Sequence, residues 1–331
     1  MAIYQNKKSI RDVFKVKLDP VLCNVVTLLL LLVISAGCVG SARRDQLAEF
    51  SSATDTMIQA TEHSLALAQS SEREYQISRV IAEEEELSPT QFDPLLAKNA
   101  LEVRLNVLKL LDVYADSLSA LARNDESEAL ESSARHFSNK ANSLIKAGKI
   151  YQLTDEQKTY ASQAALAIGT IVSEAIRNKS LNDALKKSDP HVKAFADLMA
   201  EDIGNETVKD DVIVRTGLRG ILWEQYEVRR SSLEKRYSEL VNAGAKANDR
   251  ELLIREYLDL LSERDLVQGL LMETHDALYK FASVHAALAK TTNWNQMLSD
   301  PDISELRDQV DAFQQHVNRI RDFQLQLKEK E

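Results

Sequence analysis

The histidines and carboxylates are the residues best suited to metal or acid–base chemistry. Helical proteins often bind metal ions through Glu-x-x-His pairs, which place both ligands on one helix face. None of the six histidines has Glu or Asp three residues before it, and no two are four residues apart. His275 and His285 are ten residues apart on one predicted helix and point about 80° away from each other. We therefore expect polar contacts or packing for them, with no metal site and no cofactor.

A glycine-containing segment, Thr216-Gly217-Leu218-Arg219-Gly220, is the nearest approach to a phosphate-binding loop. It matches neither GxGxxG nor GxxxxGK[ST], the two patterns in which clustered glycines let the backbone approach a phosphate. Arg215 and Arg219 are one helical turn apart and could hold an anion. The alternative is that Gly217 and Gly220 allow close helix contact or a bend. No Gly-x-Ser-x-Gly motif marks an activated serine, so we expect no enzyme activity.

The acidic residues suggest few partners. Glu83–Glu86 form a run of four acids that favours a solvated loop, since acids oppose the dipole at a helix C-terminus. Loose cation binding is an alternative, although the run lacks the spacing of an EF-hand loop. The whole chain carries a net charge of −10. This charge argues against nucleic acid, whose binding depends on Lys and Arg neutralising phosphates.

The elements that would position these residues are helices. The chain of 331 residues has only 9 glycines and 5 prolines, and it is rich in Ala, Leu, Glu, Lys and Gln, which favour helix. A first helix is predicted from Arg43 to about Glu85, and Asp93-Pro94 begins the next. Two apolar stripes of helical spacing suit a bundle or coiled coil. They consist of Leu101, Leu105, Leu108, Leu111, Ala115, Leu118 and Ala122, and of Leu306, Val310, Phe313, Val317 and Ile320.

Capping residues, prolines and glycines mark the boundaries of the later predicted helices. Ser180 and then Asp189-Pro190 each begin a short helix. Long helices follow at about 206–243 and 248–290, separated by Gly244, and the tight connection makes them antiparallel neighbours. We therefore predict an all-α fold, an elongated bundle of long antiparallel helices with several shorter ones. One domain and two packed sub-bundles both remain open for residues 43–331.

The N-terminus has the pattern of an export signal. Residues 1–20 carry five basic and two acidic side chains, and Val21–Ile34 form a 14-residue apolar segment interrupted by Asn24 and Thr27. The small residues Ser35, Ala36 and Gly37 then precede Cys38. A basic region, an apolar run and a small-residue exit describe a secretory signal peptide.

The order Ser-Ala-Gly-Cys at 35–38 resembles the lipobox of bacterial lipoproteins. The resemblance implies cleavage between Gly37 and Cys38, a diacylglycerol on the Cys38 thiol and an acyl chain such as palmitate on its new amine. Ser35 departs from the family, which favours Leu there. Residues 1–37 would then be the signal peptide and 38–42 a lipidated cysteine with a short tether. An uncleaved signal anchor, for which Val21–Val39 is long enough, and ordinary cleavage near Ala42 are the alternatives.

The mature chain resembles a loose class. The segments 108–122 and 164–195 are similar to helical bacterial lipoproteins without a named activity. Val39 follows the cysteine where an Asp would imply retention in the inner membrane, so the resemblance favours the periplasmic face of the outer membrane, with the inner membrane as the alternative. We expect an interaction or accessory protein of the cell envelope that binds lipid through Cys38 and an envelope protein. The alternatives are a small-ligand-binding lipoprotein and a signal-anchored protein with a periplasmic helical domain.

Overall fold

The computed structural model describes the backbone of residues 20–83, 98–123, 180–290 and 300–329, with a few helical residues between 167 and 174. Side chains are described from Asp45 onward, except at some positions in the first, second and last helices. The chain divides into two units, Met1–Arg43 and Arg44–Glu331. In the first unit the backbone from Pro20 onward is helical. All packing described below lies within the second unit.

The described part of the chain contains six α-helices and one two-stranded antiparallel sheet. In chain order the elements are α1 (Pro20–Glu83), α2 (Lys98–Arg123), α3 (Leu181–Ile203), β1 (Glu206–Lys209), β2 (Val212–Arg215), α4 (Gly217–Asn242), α5 (Ala247–Lys290) and α6 (Asp300–Lys328). The predicted all-α class is confirmed. The predicted helix start at Asp93-Pro94 lies outside the described residues.

Three aromatic rings join α1, α5 and α6 in the core. Phe281 of α5 stacks on Phe50 of α1 with ring centroids 5.2 Å apart, and Phe313 of α6 lies 6.2 Å from both. Burial of each such side chain stabilises the fold by roughly 1.5–3 kcal/mol. All five residues of the predicted α6 stripe are buried, so that stripe faces the core as expected.

The helix α3 packs against both α2 and α5. The predicted α2 stripe is buried at its centre, from Leu108 to Leu118. Near one end of α2, Arg104 Nε and Nη2 donate to the two carboxylate oxygens of Asp202 on α3 at 2.6 and 3.0 Å. Ten residues further along α2, the Tyr114 hydroxyl contacts Ser188 of α3. The two contacts run in opposite sequence directions, which makes α2 and α3 antiparallel.

The helix α3 is continuous through Pro190, so the predicted start of a new helix at Asp189-Pro190 is wrong. Ser180 caps α3 as expected, because its side chain accepts from Asp183 N at 3.3 Å. Proline removes one backbone hydrogen bond from a helix interior. Pro190 is exposed, so the carbonyl that it leaves free lies on the side that water can reach. Buried neighbours such as Leu185 and Val192 hold the helix together across this position.

Residues 206–215 form a β-hairpin, so the predicted helix start near Glu206 is wrong. The strands pair Glu206 with Arg215 and Lys209 with Val212. The turn consists of Asp210 and Asp211 with φ of 51° and 60°, the left-handed conformation that tight hairpin turns require. The prediction missed the turn because Asp-Asp is a weaker turn signal than Asn-Gly. The β-branched residues that follow do favour a strand. The helix α4 begins only at Gly217.

The helices α4 and α5 form the long antiparallel pair that the sequence predicts. Gly244 has a φ of 65° and follows the end of α4, so its predicted role as the break is confirmed. Tyr226 of α4 donates to Glu263 of α5 at 2.7 Å, and Tyr257 of α5 donates to Glu234 of α4 at 3.1 Å. These contacts fix the register of the two helices.

Candidate functional site

Residues 233–260, at the connected end of α4 and α5, are the most exposed long helical segment described. We call them the distal hairpin. Only Leu233, Leu253 and Leu260 are buried in it. The spacing of seven between Leu253 and Leu260, and between Tyr226 and Leu233, is that of a two-helix coiled-coil seam. A seam this narrow leaves the remaining sides of both helices to the solvent.

One side of the distal hairpin exposes apolar side chains. Tyr237 and Val241 of α4 are 36% and 43% exposed, and Ile254 and Leu258 of α5 are 43% and 57% exposed. The members of each pair are one helical turn apart on their helix, and we call the four residues the hairpin face. A groove of about 290 Å³ lies between the two helices, and Tyr237 and Ile254 of the hairpin face line it. Its lining residues are Leu233, Glu234, Tyr237, Ser238, Leu253, Ile254 and Tyr257.

A second groove of about 600 Å³ is lined by residues of α1, α4 and α5. It is charged, and its ion pairs include Arg236–Glu256 at 3.6 Å and Arg229–Glu263 at 3.9 Å. Exposed pairs of this kind contribute at most about 1 kcal/mol each, and their charges suit contact with water. The apolar hairpin face is therefore the better candidate for a binding surface.

A buried polar cluster joins α2, α3 and α5. His285 Nδ1 lies 2.9 Å from Asp189 Oδ1, and His285 Nε2 lies 2.6 Å from the Tyr114 hydroxyl. The Tyr114 hydroxyl also contacts Ser188, whose Oγ donates to the Ala184 carbonyl at 2.6 Å. An ionised Asp189 requires the proton of His285 on Nδ1, so Nε2 must accept from Tyr114.

The cluster contains the residue types of a hydrolytic triad but has no access for a substrate. Tyr114, Ser188 and His285 have no exposed surface. Burial lowers the pKa of His285 against the opposing effect of Asp189, and burial raises the pKa of the Tyr114 phenol. Both groups are therefore neutral at pH 7, and the cluster satisfies the hydrogen bonds of buried polar groups. The polar contacts expected for His285 are confirmed.

The two arginines suggested as an anion site already face a carboxylate of the protein. Arg215 Nε and Arg219 Nη2 lie 2.8 and 3.2 Å from the same Glu206 oxygen. The guanidinium groups of Arg215 and Arg264 both lie over the ring of Trp223, 3.7 and 4.6 Å from its centroid. Arg219 also donates to Gln268 of α5. The group therefore fastens the base of the β-hairpin to α4 and α5.

Four carboxylates lie near one another on α1 and α2. Partial burial, and then the charges of Asp116, Asp55 and Glu62, raise the pKa of Asp112 to about 6. Ser51 of α1 donates to Asp116 at 2.8 Å. Among the described residues, no group of three or more His, Cys, Asp or Glu side chains is arranged to hold a metal ion. Most of the acidic run Glu83–Glu86 lies outside the described residues.

The residues of the export signal belong to the first unit. Gly37 and Cys38 lie in α1, but side chains are not described before Asp45, so cleavage and lipidation remain predictions. Among the residues that the structure describes, no helix is long and apolar enough to cross a membrane.

Comparison with other proteins gives no assignment. No family model matches the chain, and no curated protein or solved structure is significantly similar to it.

The hairpin face was not predicted from the sequence, although the sequence contains a signal for it. Apolar residues occur at positions 253, 254, 257, 258, 260 and 261. They cover a wider arc of the helix than a two-helix seam requires.

Proposed function

We propose that this protein is a lipid-anchored interaction protein of the bacterial cell envelope and that it binds its partner through the hairpin face. The observation that carries the proposal is the exposure of Tyr237, Val241, Ile254 and Leu258 beside an open groove. Clustered apolar side chains on a protein surface are typical of interaction sites. A groove between two helices suits an amphipathic helix, which inserts apolar residues at helical spacing.

The position of the groove favours a protein partner over a small ligand. A small-molecule site would be an enclosed cavity with polar groups from several helices converging on it. The groove beside Tyr237 lies between two helices only, and its lining side chains Tyr237 and Ile254 are more than one third exposed. Such a groove would cover one side of an apolar helix, but it would leave most of a small ligand in water.

The buried cluster supports a non-enzymatic role. Ser188 and His285 could act as nucleophile and base only if a substrate reached them, and both are sealed by packing. Their hydrogen bonds to Asp189, Tyr114 and the Ala184 carbonyl account for these polar atoms structurally. We therefore propose that the cluster holds the helices together and that the protein has no catalytic activity.

The anchor part of the proposal rests on the sequence Ser35–Cys38 and its resemblance to a lipobox. Lipidation at Cys38 would hold the chain at the periplasmic face of a membrane, and Val39 favours the outer one. The intact mass of the membrane-extracted protein tests this. We expect a chain that begins at Cys38 with added acyl mass, and a Cys38→Ala variant that is not processed in this way. A full-length, unlipidated chain would instead indicate a signal anchor and exclude the outer membrane.

The binding part is tested by removing the apolar character of the hairpin face. We expect Ile254→Ser combined with Leu258→Ser to abolish the complex that the wild-type protein forms with an envelope partner, measured by native gel after mild solubilisation. Met272→Ser is the matched control, because Met272 lies on the same helix and is 40% exposed, close to the 43% of Ile254. An unchanged complex in the double variant, with an unchanged circular dichroism spectrum, would contradict the proposal.

A further inference from the structure

The buried polar cluster contains four close polar contacts in a row. Asp189 Oδ1 lies 2.9 Å from His285 Nδ1, and His285 Nε2 lies 2.6 Å from the Tyr114 hydroxyl. The Tyr114 hydroxyl contacts Ser188 Oγ, which lies 2.6 Å from the Ala184 carbonyl oxygen. Each contact can hold one hydrogen between its two heavy atoms.

The neutral form of the cluster has too few hydrogens for these contacts. With Asp189 ionised, the row has three, on His285 Nδ1 and on the hydroxyls of Tyr114 and Ser188. When Tyr114 donates to His285 and Ser188 donates to the Ala184 carbonyl, the contact between the two hydroxyl oxygens has none. When Ser188 turns to Tyr114 instead, the contact with the carbonyl has none. One contact between two oxygens is therefore always unbonded, at a site without exposed surface.

We infer that the cluster is a binding site for one proton and that the bound proton reverses the direction of its hydrogen bonds. In this form His285 carries a hydrogen on both ring nitrogens. Its Nε2–H donates to the Tyr114 oxygen, the Tyr114 hydroxyl donates to Ser188, and Ser188 donates to the Ala184 carbonyl. Four hydrogens fill four contacts, and the net charge of the row changes from −1 to zero.

The groups around His285 place this uptake in acid. Burial lowers the pKa of His285, and the carboxylate of Asp189 on α3 acts against burial. Lys193, one turn after Asp189 on α3, pairs with Asp197 at 2.6 Å. The hydroxyls of the cluster face the imidazole from α2 and α3, and the side chains of α1 and α6 that reach the preceding turn of α5 are phenyl rings. Asp189 is therefore the charged group that holds the imidazolium.

The consequence is a joint between α2, α3 and α5 that tolerates acid. A buried imidazolium without an acceptor would be costly, but here the Tyr114 oxygen accepts its Nε2–H. The loss of folding stability that the lowered pKa of His285 causes therefore ends once the folded chain binds the proton. This inference does not depend on the proposed partner, because the cluster is sealed inside the protein.

Nitrogen NMR of the full chain, labelled with ¹⁵N-histidine and held in detergent micelles, tests the uptake. The chain has six histidines, and loss of a signal in His285→Gln identifies the signals of His285. At pH 7.5 we expect hydrogen on Nδ1 only. Below pH 6.5 we expect hydrogen on both nitrogens while circular dichroism shows that the chain is still folded.

Removal of the Ser188 hydroxyl tests the reversal. In Ser188→Ala the Tyr114 hydroxyl has no acceptor once His285 is protonated. We expect the midpoint of the His285 titration to fall by about one pH unit, a tenfold loss of proton affinity. Ser64→Ala is the matched control and should leave the midpoint unchanged. Both serines are fully buried and donate to the carbonyl four residues before them, at 2.6 Å for Ser188 and 2.9 Å for Ser64.

Tyr114→Phe removes the acceptor of the His285 Nε2–H directly, and it should lower the midpoint at least as much. It provides the same test if Ser188→Ala does not fold. Equal midpoints in Ser188→Ala and Ser64→Ala, or a His285 Nε2 that stays without hydrogen until the chain unfolds, would each overturn the inference. Either result would leave the proposed function unaffected, because that function concerns the hairpin face.

Discussion

Replacement of Tyr114 by Phe tests the buried polar cluster with little change in volume. The Tyr114 hydroxyl donates to His285 Nε2 at 2.6 Å and contacts Ser188. In the Phe variant His285 Nε2 loses this donor inside the protein, at a site with no exposed surface. A lost hydrogen bond costs about 1 kcal/mol, and a buried acceptor left without a partner costs about 1–3 kcal/mol.

Ser188 reduces this cost but does not remove it. Its Oγ lies 3.4 Å from His285 Nε2 and can turn its proton there only by giving up the Ala184 carbonyl. We therefore expect Tyr114→Phe to lower the free energy of unfolding by about 2 kcal/mol. Urea unfolding at pH 7.5, followed by circular dichroism, measures the change. Leu108→Ile, a change in the same helix without a polar group, is the control for the effect of altering a side chain's shape in the core. A loss below about 0.5 kcal/mol for Tyr114→Phe would refute the assigned donor and acceptor roles.

Three further predictions concern pH and backbone geometry. Because burial lowers the pKa of His285 below 6.5, the unfolded chain binds a proton that the folded chain does not as pH falls below 6.5. Folding stability should fall by up to about 1.4 kcal/mol per pH unit, and His285→Gln should reduce that slope between pH 7.0 and 5.5. Asp112, with its pKa raised to about 6, has the opposite sign, because its folded form binds the extra proton and stability is lost as pH rises from about 4 through 6. Asp112→Asn should therefore raise the free energy of unfolding by about 1 kcal/mol at pH 7.5, allowing for its partial exposure, with a clearly smaller gain at pH 4.5. Gly204→Ala should cost at least about 3 kcal/mol, since φ is 86° and a Cβ would lie 1.8 Å from the Thr216 carbonyl oxygen.

Each of these predictions has its own contradicting result. An unchanged pH slope in His285→Gln would mean that His285 is protonated in the folded state. A destabilised Asp112→Asn at pH 7.5 would mean that the Asp112 charge is favourable where it lies. Gly244→Ala is the control for Gly204→Ala, because Gly244 has a φ of 65° but a Cβ there would meet nothing within 4 Å. Equal losses at the two glycines would show that only the backbone angle matters.

The helices were predictable because local signals decide them. Apolar spacing on α6 placed Leu306, Phe313 and Ile320 in the core, where all three are buried. The paucity of Gly and Pro gave the all-α class. Pro190 was a misleading signal, since the cost of one missing hydrogen bond is offset by buried residues on both sides of it. That compensation comes from tertiary packing, which a local pattern does not contain.

The sites were less predictable because they depend on pairing between distant residues. His285 meets Tyr114 across 171 positions of sequence, and no spacing rule connects them. The role of Arg215 and Arg219 depended on Glu206, which the sequence placed on a helix and the structure places on a strand. The hairpin face depends on which sides of α4 and α5 other helices leave uncovered. None of these contacts or exposed surfaces can be predicted from the sequence of one helix alone.

The most direct test of the central claim is site-specific photo-cross-linking in intact cells. A photoreactive amino acid replaces Ile254 on the hairpin face, and another chain carries it at Met272 as the control of similar exposure on the same helix. Binding through the hairpin face predicts a discrete cross-linked product from position 254 and none from position 272. Absence of any product from position 254, in a chain that is correctly exported and folded, would contradict the claim.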